Sequence, residues 1–412
     1  MFHYKNNHLW VEDQSVAEIA QKVGTPCYLY SYTHLVQNWH AFNDALGDHP
    51  HKICYAVKAN GNLAVLKALA QCGSGFDIVS EGELARVLAA GGLAQNVVFS
   101  GVGKTTSEIK TALKNNIFCF NIESENELDN LNRLAKELNV KANIAIRVNP
   151  DVDPQSHPYI STGLKDSKFG VDIKEAFTLY LKAKQSAYLN IQGIAFHIGS
   201  QLTSLTPFLD AFARVLKLVS ELKSHGIFIS HVDVGGGLGV RYCDEDPPTP
   251  SEYATAILDM CPKDLMLVLE PGRAIASKAG MIITQVLSIK KSGDKHYCIV
   301  DCAMNDFMRP TLYQAWQSII PLKETSSEPA VIYDVVGPVC ESGDFLGKDR
   351  TLSVAIGDYI AICDAGAYGF VMSSNYNARP RPCEVMVKDA TFKVVRPRET
   401  IAQLYAEEIQ WP

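Results

Sequence analysis

Short apolar runs alternate with longer amphipathic stretches between residues 33 and 280. Eight of these runs have the length and the β-branched or aromatic content of buried strands. The predicted strands are 52–57, 75–79, 97–100, 117–121, 142–148, 191–196, 231–234 and 265–269. Helix-like stretches such as 81–90, 125–138 and 207–225 separate them. This alternation and strand number predict an α/β fold with an N-terminal (β/α)8 TIM-like barrel. An open doubly wound sheet is the alternative, because periodicity does not show closure.

The pattern changes after about residue 280. Further strands are predicted without long helices between them, at 281–289, 296–300, 331–336, 358–363 and 384–387. Turn signals containing glycine and aspartate separate these strands. We therefore expect a barrel domain in residues 33–280 and a C-terminal all-β domain in residues 281–412.

Composition narrows the classes of function. The formal net charge is −7 and no basic stripe is present, so we expect no nucleic-acid partner. No apolar run approaches the roughly 18 residues of a membrane span, and no signal peptide is recognisable, so we expect no membrane partner. The 11 cysteines include no Cys-x-x-Cys pair. That pattern argues against a disulfide scaffold and a metal site, and favours a reducing, cytoplasmic location.

Polar and titratable residues follow most of the predicted barrel strands. They are Lys58, Asp77, Arg147, Asn149, His197, Ser200, the glycine-rich segment 235–239 and the segment 270–273. The carboxyl ends of the strands in a parallel barrel meet at one face, which is the catalytic face. We therefore expect these residues to line one site.

A lysine at a strand end and a glycine-rich loop after the seventh strand together suggest pyridoxal 5'-phosphate (PLP). Lys58 can bind that cofactor as a Schiff base, and the backbone at 235–237 can hold its phosphate. Glu270 can pair with the pyridine nitrogen, and His197 can stack on the ring. Each residue taken alone has an ordinary explanation: a lysine extending into solvent, a tight turn, an ion pair and a core histidine.

The motifs along the whole chain resemble those of the alanine-racemase-like (fold type III) PLP enzymes, and among them the diaminopimelate decarboxylase family. In the first part of the chain the motifs are Tyr55-Ala-Val-Lys-Ala-Asn60, Gly75-Phe-Asp-Ile-Val-Ser80, Ser167-Lys-Phe-Gly170, His197-Ile-Gly-Ser200, Gly235-Gly-Gly237 and Glu270-Pro-Gly-Arg273. Later motifs are Arg309-Pro-Thr-Leu-Tyr313, Gly337-Pro-Val-Cys-Glu-Ser-Gly-Asp344 and Gly366-Ala-Tyr368. The resemblance implies that residues 1–32 join the β domain, which contributes to the substrate site and the dimer interface of a homodimer with shared active sites.

The resemblance also implies roles for individual residues. The expected cofactor-binding residues are Lys58, Asp77, His197, Ser200, Gly235, Gly236, Gly237, Glu270, Pro271, Gly272, Arg273 and Tyr368. The expected substrate-binding residues are Arg273, Arg309, Tyr313, Glu341 and Tyr368. Cys340 of the partner subunit would donate a proton to the carbon that loses carbon dioxide, and Lys58 and His197 complete the expected catalytic group.

The implied reaction is decarboxylation of meso-2,6-diaminopimelate to L-lysine and carbon dioxide, the last step of bacterial-type lysine biosynthesis. One alternative is a sister decarboxylase for ornithine, arginine or carboxynorspermidine. The ornithine enzymes typically have aspartate after the cysteine, so Glu341 argues against them. A racemase would normally pair an arginine with the pyridine nitrogen, so Glu270 argues against that class. A non-catalytic regulatory homologue is the remaining alternative, although such proteins tend to lose the lysine or the cysteine.

Overall fold

The computed structural model describes residues 1–153, 167–324 and 327–411. The chain divides into two compact units. One unit, called here the strand-rich unit, comprises Met1–Gln37, Tyr242–Asp244 and Ala276–Pro412. The other, called the barrel unit, comprises Asn38–Arg241 and Glu245–Ile275.

The chain begins with a small antiparallel sheet of three strands. The first elements are β1 (Phe2–Lys5), β2 (His8–Val11), β3 (Gln14–Ser15), α1 (Val16–Val23), β4 (Cys27–Ser31) and α2 (Tyr32–Leu46). The Ser15 side chain accepts a hydrogen bond from the Glu18 backbone N–H and so caps α1. Val16 and Ile19 are fully buried, which fixes the face that α1 presents to the core.

The barrel unit contains a regular alternation of strands and helices. Its elements after α2 are β5 (His51–Ala56), α3 (Leu63–Gln71), β6 (Gly75–Ile78), α4 (Glu81–Ala89), β7 (Val97–Phe99), α5 (Thr106–Lys114), β8 (Cys119–Ile122), α6 (Glu125–Leu138), β9 (Ala142–Asn149), β10 (Val171–Asp172), α7 (Ile173–Lys184), β11 (Leu189–Ala195), α8 (Thr206–Ser224), β12 (His231–Asp233), α9 (Pro250–Leu258) and β13 (Met266–Leu269). A short helix, α10 (Arg273–Ala276), follows.

All neighbouring strands of the barrel are parallel, and the sheet is closed. The order is β5-β6-β7-β8-β9-β11-β12-β13, and β13 pairs with β5 through Leu267, Val268 and Leu269. The two-residue strand β10 is added beside β9. The predicted eight-stranded barrel is therefore confirmed, and the open doubly wound alternative is wrong.

Small side chains fill the barrel interior in two groups. Cys54, Val98 and Val268 form one group, and Cys119, Ala145 and Ala195 form the other. Phe118 packs against both groups. The interior is thus a packed core, so ligand chemistry is confined to the ends of the strands.

The strand-rich unit continues with β14 (Gly280–Ser292), β15 (Lys295–Val300), α11 (Arg309–Tyr313), β16 (Ile319–Pro321), β17 (Val331–Val336), β18 (Phe345–Leu352), β19 (Tyr359–Ile362), β20 (Cys383–Lys388) and β21 (Thr391–Arg396). Its main sheet has the order β18-β17-β15-β14-β4-β20-β21. Strand β4 is central, antiparallel to β14 and parallel to β20. The predicted strand-rich C-terminal region is confirmed.

Six strands of this unit were not predicted: β1, β2 and β3 at the start of the chain, and β16, β18 and β21 after residue 280. Strand β16 has only three residues, and β18 carries lysine, aspartate and arginine in place of a clear apolar alternation. In β21, Thr391, Lys393 and Val394 are exposed, so burial imposes little pattern on its sequence.

Candidate active site

Lys58 lies where the first barrel strand ends. Strand β5 stops at Ala56, and Lys58 sits in the short 3-10 turn that follows. Its Nζ atom is 2.7 Å from Oδ2 of Asp77, which is completely buried in β6. The lysine side chain itself is 43% exposed, so its amine is reachable while Asp77 orients it.

Glu270 lies directly after the last barrel strand, and it is hydrogen-bonded to Asp233 at the end of β12. Ser100 donates to Oε1 of Glu270 at 3.4 Å. The amide of Asn121 donates to Oδ2 of Asp233 at 2.9 Å and to Ser100 at 3.1 Å. The backbone N–H of Gly235 donates to the other oxygen of Asp233 at 2.9 Å. These hydrogen bonds join groups from four strand ends into one buried network.

The pKa values of both carboxyl groups of this network are raised. Burial, followed by the charges of Asp233 and Asp77, holds the pKa of Glu270 well above its ordinary value. Burial also raises the pKa of Asp233. Two ionised carboxylates cannot hydrogen-bond to each other, so the pair holds a proton. Such a pair is suited to contact a protonated ring nitrogen, which would favour the ionised carboxylate.

His197 follows strand β11 and is hydrogen-bonded to the backbone of Gly236. Burial, together with the charges of Arg147 and Lys58, holds the pKa of His197 well below its ordinary value. Arg147 is itself fixed by Glu123, whose Oε1 accepts from its Nη1 at 2.8 Å. The imidazole is therefore neutral at pH 7.

Three successive glycines after β12 form a cradle that no other residue could build. A Cβ atom at Gly235 would lie 2.7 Å from the Phe196 carbonyl oxygen, and one at Gly236 would lie 2.3 Å from the Glu270 carbonyl oxygen. A Cβ atom at Gly237, where φ is +110°, would lie 2.3 Å from the Gly199 carbonyl oxygen. Bare backbone at this position can approach a phosphate closely.

The residues present fit PLP. The donor set contains a lysine amine, a glycine-rich backbone cradle and a buried carboxyl pair, which match an aldehyde, a phosphate and a pyridine nitrogen. Among the described residues, Oδ1 of Asp77 and Oδ1 of Asn121 are buried without a hydrogen-bond partner. Two unsatisfied acceptors in neighbouring parts of the strand-end face are consistent with a site built for a further polar group.

The remaining predicted cofactor residues of the barrel unit lie beside this network. Gly272 packs against Ala56 and Ala59, which flank the turn of Lys58. The loop that carries Ser200 pairs with the glycine-rich segment, because the Leu202 N–H donates to the Gly237 carbonyl at 2.9 Å. Arg273 is buried at the start of α10, after Pro271.

The strand-rich unit carries the other predicted substrate-binding residues. Arg309 is buried in α11, where its Nη1 donates to the Tyr242 hydroxyl at 2.9 Å and its guanidinium lies 4.8 Å from the Tyr242 ring centroid. Ser277 also donates to that hydroxyl, at 3.0 Å. Tyr313 ends α11 and is half-buried. Tyr242 thus contacts the guanidinium of Arg309 through both its hydroxyl and its ring, and Ser277 holds that hydroxyl in place.

Cys340 and Glu341 lie on an exposed loop between β17 and β18. Tyr368 lies after β19 with φ of +56°, which is uncommon for a residue other than glycine. Such backbone conformations are concentrated at functional sites because the surrounding structure must impose them.

Sequence reasoning did not select four polar residues of this site. Ser100, Asn121 and Asp233 belong to the buried network of Glu270, and Glu123 binds Arg147. Each is a polar residue at or just after the carboxyl end of a barrel strand. A polar residue at the carboxyl end of a barrel strand can indicate a functional residue. The same pattern is ambiguous, because such a residue also commonly caps the following helix.

The barrel is of the kind found in PLP-dependent decarboxylases, since a family model described as "Pyridoxal-dependent decarboxylase, pyridoxal binding domain" matches residues 32–277. The diaminopimelate decarboxylase of Vibrio cholerae serotype O1 is 56% identical over 414 aligned positions, covering 100% of this chain and 99% of that protein. The chain therefore belongs to the diaminopimelate decarboxylase family.

Solved structures of diaminopimelate decarboxylases are also similar to this chain. The diaminopimelate decarboxylase of Helicobacter pylori, complexed with L-lysine, is similar with a TM-score of 0.92 and 45% identity, covering 95% of this chain and 98% of that one. The enzyme of M. jannaschii in complex with L-lysine is similar with a TM-score of 0.95 and 38% identity, covering 100% and 98%.

None of the helices within the three described ranges combines the length and the apolar character needed to cross a membrane.

Proposed function

We propose that this protein is a PLP-dependent carboxy-lyase that converts meso-2,6-diaminopimelate to L-lysine and carbon dioxide, the last step of bacterial-type lysine biosynthesis. The observation that carries the proposal is the arrangement at one end of the barrel. There, the Lys58 amine on Asp77 and the Glu270 carboxyl on Asp233 flank a backbone cradle of glycines. Membership of the diaminopimelate decarboxylase family supports the choice of substrate.

Within this proposal, Lys58 binds the cofactor covalently, and Gly235, Gly236 and Gly237 with Ser200 hold its phosphate. PLP, when bound, supplies an electron sink for the electron pair left behind by carbon dioxide. The barrel residues would orient the cofactor and provide the charges that it needs. Asp77 holds the Lys58 amine at 2.7 Å, so the amine has a fixed direction before the cofactor binds.

Glu270 and His197 complete the proposed cofactor site. Glu270 would hold a proton on the ring nitrogen, because an ionised carboxylate stabilises a pyridinium. Its hydrogen bond to Asp233 sets its orientation. The neutral imidazole of His197 would cover one face of the ring and keep water from it.

The substrate groups are assigned to residues by charge. Arg273, Arg309 and Tyr313 would bind carboxylate, since a guanidinium can form two parallel hydrogen bonds with it. Glu341 would bind the distal ammonium, with Tyr368 nearby. Recognition of both an ammonium and a carboxylate at the far end separates diaminopimelate from ornithine, because a missing group would leave buried polar atoms unpaired.

Cys340 is proposed as the proton donor to the carbon that loses carbon dioxide. Its thiol and the neighbouring Glu341 are exposed on the chain considered alone. Exposure of two groups with proposed catalytic tasks supports a homodimer in which Cys340 of the partner subunit serves each site. A cytoplasmic location completes the proposal, and the 11 cysteines, all free thiols, support it.

The test is a spectrum followed by a product assay. Purified protein with added PLP should show a near-visible absorbance band that borohydride reduction removes, and meso-diaminopimelate should yield L-lysine and carbon dioxide in equal amounts. Ornithine and arginine serve as competing substrates. Carbon dioxide release from ornithine but not from diaminopimelate would contradict the substrate assignment while leaving the cofactor assignment intact. Absence of the band in the presence of PLP would contradict both.

A further inference from the structure

The loop of residues 337–344, called here the cysteine loop, is anchored at its base by Asp344. This buried carboxylate accepts from the backbone N–H of Met304 at 2.7 Å and from that of Val339 at 2.8 Å. A Cβ atom at Gly337 would lie 2.6 Å from the Asp344 carboxylate, so the loop packs directly on its anchor. The base of the loop is therefore fixed.

A second segment, residues 374–379, is anchored on the same stretch of backbone and is called here the asparagine turn. The Ser374 N–H donates to the Asn305 carbonyl at 2.8 Å. Arg379 donates through Nε to Oδ1 of Asn305 at 3.1 Å and through Nη2 to the Asp301 carbonyl at 2.6 Å. Both segments thus have a common support within the strand-rich unit.

The asparagine turn contacts the cysteine loop at Cys340, the residue proposed as the proton donor. Oδ1 of Asn377 accepts from the backbone N–H of Cys340 at 3.0 Å. Asn377 has φ 56° and ψ 28°, a left-handed conformation that asparagine tolerates better than most residues.

We propose that Asn377 is a positioning residue for the reaction and fixes the backbone at Cys340. This inference rests on the proposed function, in which Cys340 donates a proton. Proton transfer depends steeply on the placement of the donor, so loss of a backbone anchor beside it should slow turnover more than binding.

The first experiment separates positioning of Cys340 from general stability. Asn377→Gly removes the acceptor and tolerates the left-handed backbone, whereas Asn377→Asp keeps an oxygen acceptor at the same place. We expect Asn377→Gly to lower kcat with meso-diaminopimelate on the order of 10-fold with little change in KM, and Asn377→Asp to restore most of the loss.

A stereochemical measurement reports on the proton donor itself. In D2O, the carbon that loses carbon dioxide gains one deuterium, and a fixed donor delivers it to one of two prochiral positions. NMR of the lysine formed should show one position in the wild-type protein and a mixture in Asn377→Gly and Cys340→Ala. Asn139→Gly is the matched control, because Asn139 is an exposed left-handed asparagine at the end of α6. Wild-type kcat and stereochemistry in Asn377→Gly would overturn the role of Asn377, as would equal losses in Asn377→Gly and Asn377→Asp.

Failure of this inference differs visibly from failure of the proposed function. A wild-type protein that forms no lysine contradicts the proposed function and, with it, the inference. A wild-type protein that forms lysine, with variants that match it, contradicts the inference alone.

Discussion

The candidate residues of the barrel unit and those of the strand-rich unit are held in different ways. Lys58, Asp233 and Glu270 lie at or within two residues of a strand end, and the parallel barrel brings those ends together. Cys340 and Glu341 lie on a loop whose course depends on hydrogen bonds to distant segments. In the barrel unit, the candidate residues are positioned by the strand order of the closed sheet. In the strand-rich unit, they are positioned by individual hydrogen bonds from side chains.

The largest effect should come from the lysine at the end of β5. Lys58→Ala removes the only amine proposed to bind PLP covalently, so lysine formation should fall by several orders of magnitude and the borohydride-sensitive band should disappear. Lys52→Ala, at the other end of the same strand, is the control and should keep both. If Lys58→Ala kept the band, the residue that binds PLP would not be the lysine at this strand end. The contrast between the two units would then fail.

Cys340→Ala should have the next largest effect. Loss of a general acid typically costs about 10²- to 10⁴-fold in rate, so kcat should fall in that range. The absorbance band of the bound cofactor should remain, because the barrel unit is unchanged. Cys243→Ala removes another exposed thiol of the strand-rich unit and should be silent. Normal turnover by Cys340→Ala would show that the cysteine loop does not supply the proton donor.

Asp233→Asn tests the buried carboxyl pair through stability. The raised folded-state pKa values of Asp233 and Glu270 mean that the folded protein binds protons more tightly than the unfolded chain. The free energy of unfolding of the cofactor-free protein should therefore fall as pH rises from about 4, the ordinary carboxyl value, through the raised values. Asp233→Asn should cost about 1–3 kcal/mol near pH 4 and flatten this dependence.

Denaturant unfolding at several pH values measures that effect. Asp210→Asn, an exposed aspartate on α8, is the control and should leave the wild-type pH dependence unchanged. A pH dependence that is identical in Asp233→Asn and the wild-type protein would show that the pair does not share a proton.

The smallest effect should come from Tyr242→Phe in the strand-rich unit. This change keeps the ring beside the Arg309 guanidinium and removes only the hydroxyl that accepts from it. One lost hydrogen bond of about 0.5–1.5 kcal/mol should raise KM for meso-diaminopimelate about 2- to 10-fold, with kcat little changed. Tyr297→Phe on β15 is the control. An unchanged KM would mean that Arg309 needs no such support.

The sequence by itself determined the alternation of eight buried strands with helices. Eight apolar runs at regular spacing were sufficient to predict it, because a strand buried on both faces leaves a continuous apolar run that short-range periodicity detects. The family motifs also selected Lys58, Glu270 and Cys340, whose roles stay predictions. Only the structure shows that the sheet is closed, since the pairing of β13 with β5 joins residues more than 200 positions apart.

Only the tertiary structure decided which polar residues hydrogen-bond to one another. Asp233 and Asn121 looked like ordinary strand-end residues, and Asn377 lay in an unassigned stretch of polar sequence. Their importance comes from contacts across 112 positions in one case and 37 in the other. A hydrogen bond depends on distances of a few tenths of an ångström, and no local pattern of apolar and polar residues encodes such distances.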